Sequence, residues 1–343
     1  MKTARRGAAA ACLGLCLIGP ALSDEAPPSA VKPPVCQGHD LSIDVAAHPE
    51  ALARVADRYR DEVSNAEGLL WRIAKPGAPP SYLFGTIHST DDRAIAIAKA
   101  AAAHIAGAKA VATELGGPMD KTAQAEMGGI MMAKALARED DTLAHLGSPE
   151  DVALIDKFLV SRGLSVAVAH HIHPWFLAVL TAAPLCEMQR QQLALPVVDE
   201  VVAQTATEQG VKVVALETAA EQIDVLASLE PALSAAILIS AARRPELTDD
   251  VYATLISLYL QKRPGEILPV VEASGVLTPE EVKAQNDFAD RLLGSRNKTM
   301  VERMKPLLEA GGAFVAVGAL HLVGKGGLVA LLRAEGYEVT AEP

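Results

Sequence analysis

Residues 313–321 read AFVAVGALH, and residues 81–88 read SYLFGTIH. In both segments a short apolar run with β-branched or aromatic residues leads into the pattern Gly-x-x-His. Apolar runs of this length, bounded by turn-forming residues, are typical of buried strands. Because glycine lets a chain turn sharply out of a sheet, the pattern predicts a histidine just beyond the tip of each strand.

Three further runs predict buried strands, at residues 69–73, 109–113 and 211–216. The run at 69–73 is separated from the strand at 81–84 by the turn-forming stretch KPGAPP, so these two strands are expected to form a hairpin. Long helical segments lie between the remaining strands. Strands that alternate with helices predict an α/β fold, with a mainly parallel central sheet covered by helices on both faces.

Two long stretches have helical periodicity without an intervening strand, at residues 137–194 and 221–296. They are expected to be helical insertions that roof the sheet. Other helices are expected over 49–66, 279–293 and 298–310. With the folded part starting near Cys36, the sequence predicts one α/β domain over residues 36–343.

The N-terminus is typical of a secretory signal peptide, because a basic start is followed by an apolar stretch at residues 7–19 and by the small residues Ala21 and Ser23. Cleavage is expected after Ser23, which gives a signal at residues 1–23. The alternative is a membrane anchor, but the stretch is shorter than the ~20 residues that a spanning helix needs. Residues 24–35, rich in Pro and Ala, are expected to be a linker. The mature protein is therefore expected to be exported, periplasmic or secreted, and not stably inserted in a membrane.

The composition argues against a nucleic-acid-binding protein. Half of the 343 residues are hydrophobic, only 3% are aromatic, and the formal net charge is −11. An acidic chain with few aromatic residues lacks the basic grooves and stacking platforms of nucleic-acid-binding proteins, so no nucleic-acid partner is expected. The oligomeric state does not follow from these features.

Two of the four cysteines belong to the predicted signal peptide, which leaves Cys36 and Cys186 in the mature chain. An even pair in an exported protein favours a disulfide bond over a metal or redox site. The alternative is two separate buried thiols.

Polar side chains stand at the exits of four predicted strands. The residues are His88, Glu114, Glu217 and His321. Ligands of open α/β sheets bind beyond the carboxyl ends of the strands. Two imidazoles with one or two carboxylates are a common ligand set for a divalent metal ion, and such an ion favours hydrolysis. The alternative is that each histidine is an ordinary loop residue, because Gly-x-x-His alone is a weak pattern.

The chain resembles the TraB/GumN family, and in particular its exported bacterial branch. The motifs that carry the resemblance are residues 82–88 (YLFGTIH), 112–115 (ATEL), 216–218 (LET) with Gln222, 296–297 with Met300, and 314–322 (FVAVGALHL) with Gly324, Gly326 and Gly327. Residues 36–41 (CQGHDL) and 184–187 (PLCE) are similar to features of the exported branch. The resemblance covers about residues 36–339.

The resemblance implies an α/β/α fold like that of the erythromycin-esterase and ChaN group, and a relation to the TIKI metalloproteases. It implies a divalent metal ion, manganese or cobalt with zinc as an alternative, held by His88, Glu114 and His321. It also places Arg296 and Asn297 in the site, as a polar pair that precedes a helix. For Glu217 the roles of ligand, general base and helix cap stay open.

The hypothesis that follows is an exported, peptidase-like hydrolase. Glu217, or Glu114 if it is not a ligand, would take a proton from water, and the water would attack a peptide or ester carbonyl of an exported peptide or small substrate. Arg296 and Asn297 would stabilise the oxyanion or anchor a substrate carboxylate. The alternative is a non-catalytic periplasmic binding protein for haem or a short peptide on the same fold, with Tyr252 and Tyr259 lining a haem groove.

Overall fold

A computed structural model describes residues 32–61, 64–118 and 121–343. The predicted signal peptide and most of the predicted linker lie outside these residues. The six strands are β1 Leu70–Ala74, β2 Ser81–Thr86, β3 Ala110–Thr113, β4 Val213–Ala215, β5 Ala313–Gly318 and β6 Glu338–Glu342. The α-helices are α1 Leu41–Ala47, α2 Pro49–Asp61, α3 Asp92–Ala101, α4 Lys121–Ala135, α5 Leu143–Leu146, α6 Pro149–Ser161, α7 Val166–Ala169, α8 Pro174–Thr181, α9 Leu185–Gln192, α10 Val198–Glu208, α11 Ala219–Ala227, α12 Pro231–Arg243, α13 Pro245–Leu260, α14 Ile267–Ala273, α15 Pro279–Ala310 and α16 Leu328–Ala334.

The strands form one mixed sheet in the order β4-β3-β5-β2-β1-β6. β4, β3, β5 and β2 are parallel to one another, and β1 is antiparallel to both β2 and β6. The β1–β2 pair is the predicted hairpin, which is confirmed. The predicted fold class is also confirmed, because most of the sheet is parallel and helices cover it.

Alternating side chains of β2, β3 and β5 enter two different cores. In β5, Val315 and Val317 pack with the second half of α15 and with α16, whereas Phe314 and Ala316 pack with α3 and α10. Side chains that alternate between faces at every residue explain why a continuous apolar run can be a strand buried on both sides. The result is a three-layered α/β/α arrangement around the parallel strands.

The sixth strand is absent from the sequence prediction. β6 pairs along its whole length with β1, with Ile73 opposite Val339. Within β6 only Val339 is buried. Val339 and the small Ala341 give only a weak alternating pattern, so the edge strand depends on pairing with β1 more than on its own hydrophobicity.

Helix α15 differs from the prediction, because it is one helix of 32 residues where two were expected. Gly294 and Ser295 lie at the expected break, and glycine in a helix costs about 1 kcal/mol relative to alanine. Buried residues on one face continue across this point, at Leu292, Arg296 and Met300. Spacing of four residues keeps these side chains on one stripe, so tertiary packing holds the helix together. Arg296 and Asn297 therefore lie inside a helix and not before one.

The helix predicted over 49–66 is α2, which is Pro49–Asp61, and residues 64–66 are not helical. Asn65 has a φ of 57°, which is left-handed and interrupts a right-handed helix. The two predicted insertions contain helices and no strand along their full length, apart from a single bridge between Leu136 and Ile172.

The insertions pack in two ways. Side chains of α4, α6, α8, α11 and α12 form a core that contains Trp175 and includes no residue of the six strands. Helices α13 and α14 pack instead against α1 and α2. Among the described residues no single helix is long and apolar enough to cross a membrane, although α11 and α12, bent by 85° at their junction, meet the length and composition criteria as a pair.

Cys36 and Cys186 form a disulfide, with the two Sγ atoms 2.04 Å apart, as the sequence predicted. The bond joins the segment before α1 to helix α9 across 150 residues of chain. A cross-link that closes so long a loop restricts the unfolded chain strongly.

We expect the Cys36→Ala/Cys186→Ala double variant of residues 24–343 to lose about 2–5 kcal/mol of unfolding free energy. Guanidinium unfolding followed by circular dichroism measures the change, and the parent protein treated with a reductant is the matched control. Identical midpoints for the oxidised parent and the variant would contradict the expectation.

Candidate active site

The four parallel strands bring the predicted polar residues to one edge of the sheet. Glu217 follows β4, Glu114 follows β3, His321 follows β5 and His88 follows β2, in the spatial order of the strands. Their carboxyl ends meet because neighbouring strands run in the same direction. Glu114, His88 and His321 line one pocket together with Arg296 from the middle of α15.

Arg296 joins the two carboxylates. Its Nε and Nη2 donate to Glu217 at 2.8 and 2.6 Å, and Nη2 also donates to Glu114 Oε2 at 2.8 Å. Gln222 from α11 donates to both carboxylates, at 2.9 Å for Glu114 and 3.1 Å for Glu217. Arg296 is only 4% exposed. The guanidinium and the amide therefore fix both acids in a dry environment.

The two glutamates differ in how far their carboxylate oxygens are already engaged by other side chains. Both oxygens of Glu217 accept hydrogen bonds from Arg296. Glu114 Oε2 is bound to Arg296, but Oε1 accepts from the Gly318 backbone N–H at 2.8 Å and lies 3.8 Å from His321 Nε2. Glu217 is also not the helix cap, because the Thr218 hydroxyl accepts from Glu221 N at the start of α11. Of these two glutamates, Glu114 is the one with an oxygen close to a histidine nitrogen.

Glu114 stays ionised across the physiological range. Burial alone would raise its pKa, but the charge of His321 when that ring is protonated at low pH, the charges of Arg296 and His88, and the Gly318 hydrogen bond outweigh burial and lower the pKa to about 2. An ionised, partly satisfied carboxylate is competent to bind a cation.

His321 is held by an amide. Its Nδ1 lies 2.5 Å from Asn297 Oδ1, and Asn297 Nδ2 donates to the Gly326 carbonyl at 2.8 Å. Since the amide NH₂ is committed to Gly326, the oxygen faces the ring and Nδ1 carries the proton. This leaves the Nε2 lone pair directed toward Glu114. Burial, reinforced by Arg296, lowers the pKa of His321 to about 4 in spite of Glu114.

His88 is held by a carboxylate. Its Nδ1 lies 3.0 Å from Asp199 Oδ2, and the other oxygen of Asp199 accepts from the Thr86 hydroxyl at 2.5 Å. Burial disfavours the charged ring, but Asp199, followed by Glu114, raises the pKa of His88 to about 9. The two histidines of the repeated motif thus have opposite charge preferences.

The turn after His88 is fastened by a second polar cluster. Glu187, one residue after the disulfide cysteine, accepts from the Thr90 backbone N–H at 2.8 Å and from the Tyr252 hydroxyl at 2.7 Å. The Tyr252 hydroxyl also bonds Ser89 Oγ at 2.7 Å. Helices α9 and α13 therefore fix the backbone next to His88. The Tyr252 hydroxyl is thus engaged with Glu187 and Ser89.

The glycines of the two Gly-x-x-His motifs do not act as expected. Neither Gly85 nor Gly318 has a positive φ, so neither uses glycine's special backbone freedom. A Cβ on Gly85 would instead lie 3.0 Å from both Cα and Cβ of Ala319. The expected sharp turn is wrong for Gly85: glycine is needed there because the chain leaving β5 passes against β2.

The pocket has a polar part and an apolar part. The polar part contains His88, Glu114, Arg296 and His321. The apolar part is lined by Ile87, Leu255, Tyr259, Ile267, Leu292, Leu293 and Leu320. Tyr259 donates its hydroxyl to the Gly85 carbonyl at 2.9 Å, so it presents no free polar group.

The pocket contains the kinds of ligand atoms that commonly bind a divalent cation. Two nitrogens and one ionised carboxylate oxygen are present, and 3.8 Å between His321 Nε2 and Glu114 Oε1 is within reach of two ligands that each lie about 2.0–2.2 Å from an ion. In residues 32–61, 64–118 and 121–343, however, no three His, Cys, Asp or Glu side chains stand close enough to hold an ion. At least one side chain would have to shift on binding.

Sequence reasoning missed Asp199, which lies in the first turn of α10. An acidic residue there is ordinarily explained by the helix dipole, so no local pattern distinguished it. Gln222 belonged to a recognised motif, but nothing in the sequence gave its role. Both become visible only through contacts with residues more than 100 positions away, to His88 and Glu114 respectively.

A family model described as the TraB/PrgY/gumN family matches residues 69–341. The match extends from the residue before β1 into β6, so it includes the whole parallel sheet and every strand-end residue named above. No curated protein matches the sequence.

We expect Gly85→Ala to destabilise the fold by about 1–3 kcal/mol, because the added methyl overlaps Ala319 backbone in a packed core. Thermal unfolding measures the change. The control is Gly128→Ala, which adds a methyl group in open space inside α4. Gly77→Ala would not serve as a control, because Gly77 has a positive φ. A Gly85→Ala variant as stable as Gly128→Ala would contradict the close approach.

We expect His88 to titrate near pH 9 and His321 near pH 4 in the presence of a chelator. Since the folded pKa of His88 lies above its ordinary value of 6.5, its contribution to stability is complete below pH 6.5 and is lost as the pH rises through 9. Nuclear magnetic resonance of labelled imidazoles measures both midpoints. Asp199→Asn should lower the His88 midpoint, and an unchanged midpoint would contradict the pairing.

Proposed function

Because the chain belongs to the TraB/PrgY/gumN family, we propose that it is an exported metal-dependent hydrolase that cleaves a peptide or ester bond with water. The observation that carries the proposal is the pair of histidines beside an ionised glutamate. Each ring has Nδ1 beside a side-chain oxygen, since His88 forms an ion pair with Asp199 Oδ2 at 3.0 Å and His321 is hydrogen-bonded to Asn297 Oδ1. Metal-binding histidines characteristically engage their second nitrogen in this way, which leaves Nε2 for the metal.

The ligands of the proposed ion are His88, Glu114 and His321, with manganese or cobalt favoured and zinc as an alternative. When bound, such an ion lowers the pKa of water and polarises a carbonyl, which is the chemistry that hydrolysis needs. Asp199 and Asn297 orient the two rings. The proton on His88 must leave for Nε2 to bind a cation, so the proposed binding competes with protons.

Of the two glutamates, Glu114 and not Glu217 is proposed as the ligand of the ion. Glu114 Oε1 faces His321, whereas both oxygens of Glu217 are bound to Arg296. Glu217 and Gln222 are proposed to position Arg296 and Glu114. Arg296 lines the pocket. Its Nε and Nη2 donate to carboxylates, whereas Nη1 donates to the Leu292 carbonyl at 3.2 Å. Oxyanion binding by Arg296 would therefore fall to Nη1.

Export is proposed from two features. The first is the signal-like segment at residues 1–23 of the sequence. The second is the Cys36–Cys186 disulfide, since such bonds persist in oxidising compartments and are rare in the cytosol. The proposed substrate is accordingly an exported peptide or a small ester or amide.

Elemental analysis tests the metal site. Residues 24–343 are incubated with manganese, cobalt or zinc, and excess metal is removed. We expect about one ion per chain in the parent and none in His88→Ala/His321→Ala, because the remaining carboxylate alone binds a divalent ion weakly.

His39→Ala/His48→Ala is the matched control, since it removes two exposed histidines outside the pocket. It should keep the full metal content. Circular dichroism checks that all three proteins are folded. Equal metal content in the parent and in the site variant would refute the ligand assignment, and a folded parent that takes up no metal would refute the metal-dependent mechanism. A peptide-library screen of the loaded protein, with the site variant alongside, then tests hydrolysis.

A further inference from the structure

The pocket at the strand ends has a helical side that the proposed chemistry does not use. We propose, as an extension that rests on the proposed function, that this side is a specificity pocket for a short branched aliphatic side chain next to the bond that is cleaved. The substrate class would then be peptides, or amides and esters of similar shape, with a residue such as leucine at that position.

Three helices supply the apolar lining. Leu255 comes from α13, Ile267 from α14 and Leu293 from α15. The Tyr259 hydroxyl donates to the Gly85 carbonyl, so only its ring is left to the pocket. A group that enters this side meets hydrocarbon, which favours burial of an apolar side chain by about 25 cal/mol for each Å² removed from water.

Charged substrate side chains find no partner on the helical side. Apart from Tyr259, the ionisable residues of the lining are His88, Glu114, His321 and Arg296. Glu114 and Arg296 are already paired with one another. A lysine or glutamate side chain seated among the leucines would therefore lose its hydration without compensation.

The size of the pocket limits the shape of the group. The whole pocket, with its polar and apolar parts together, has a volume of about 80 Å³, so the apolar side offers no more than this. An engineered apolar cavity of about 150 Å³ accommodates a benzene molecule, so the smaller volume favours a branched aliphatic group over an aromatic ring.

The apolar lining is continuous with the reactive groups. Leu320 directly precedes His321, and Leu292 lies one helical turn before Arg296, whose Nη1 donates to the Leu292 carbonyl. A side chain anchored there holds the adjacent carbonyl beside the strand-end residues, which is how binding of a remote group orients a reacting one.

The test uses three probes, N-acetyl-leucine amide, N-acetyl-tryptophan amide and N-acetyl-lysine amide. Each probe is titrated into the protein (residues 24–343), whose isoleucine and leucine methyl groups are labelled for nuclear magnetic resonance. A chelator is present throughout, so that no metal is bound. We expect saturable shifts of the Ile267 and Leu293 methyl signals with the leucine probe, and a dissociation constant at least about tenfold lower than for the other two, as burial of one aliphatic side chain implies. Equal affinities, or no shift at these methyl groups, would overturn the proposal.

Leu293→Ala sharpens the test, because Leu293 is only partly buried and its truncation enlarges the pocket with little loss of core. We expect the preference for the leucine probe over the tryptophan probe to fall by about tenfold. Leu193→Ala truncates a leucine outside the pocket, 37% exposed, and should keep the parental preference. If thermal unfolding shows that Leu293→Ala is not folded, Ile267→Val gives the same comparison with a smaller change. An unchanged ratio in a folded pocket variant would overturn the proposal.

Failure here is distinguishable from failure of the proposed function. The probe titrations are made without metal and without turnover, so they report the pocket alone. Metal binding and hydrolysis without selective binding of the leucine probe would overturn the specificity pocket and leave the hydrolase. Selective probe binding in a protein that takes up no metal would refute the hydrolase and, with it, the link between the pocket and a cleaved bond.

Discussion

The strand-end site depends on one buried guanidinium. Arg296 bridges Glu114 and Glu217, which come from neighbouring strands, and Gln222 links the same two acids. Removing one partner of a buried ion pair typically costs about 3–5 kcal/mol, because the other charge is left uncompensated. The network therefore ties together β3, β4, α11 and the middle of α15. That tie also explains why α15 runs through Gly294 without a break.

Burial and the immediate neighbours of each ring set the electrostatics of the two histidines. His321 is buried near the Arg296 cation and prefers to be neutral, whereas His88 lies beside Asp199 and prefers its charge. Two copies of one sequence motif thus provide two different imidazoles. The difference arises from the neighbours of each ring, which is the usual way in which one residue type acquires separate roles in a site.

The fold outside the site holds the turns that carry these residues. The disulfide at Cys186 fixes α9, and Glu187 on that helix binds Thr90 and Tyr252 beside His88. Gly85 allows the chain after β5 to pass against β2. The Glu187 hydrogen bonds hold the turn that follows His88, and Gly85 lies against Ala319, which also lines the pocket. Support of this kind is what keeps polar groups aligned in a site that is otherwise apolar.

The sequence alone determined strands β1 to β5, the hairpin, the parallel α/β class, the family, the disulfide pair and the position of the four strand-end residues, because apolar periodicity and local motifs are encoded in short segments. It did not determine β6 or the continuity of α15. Nor could it find Asp199 as the partner of His88, or show that Glu217 is occupied by Arg296. These features depend on pairing and packing between residues far apart in the chain, and a hydrogen bond across such a distance leaves no trace in local pattern. The tertiary structure decided them, since only the folded chain brings those groups into contact.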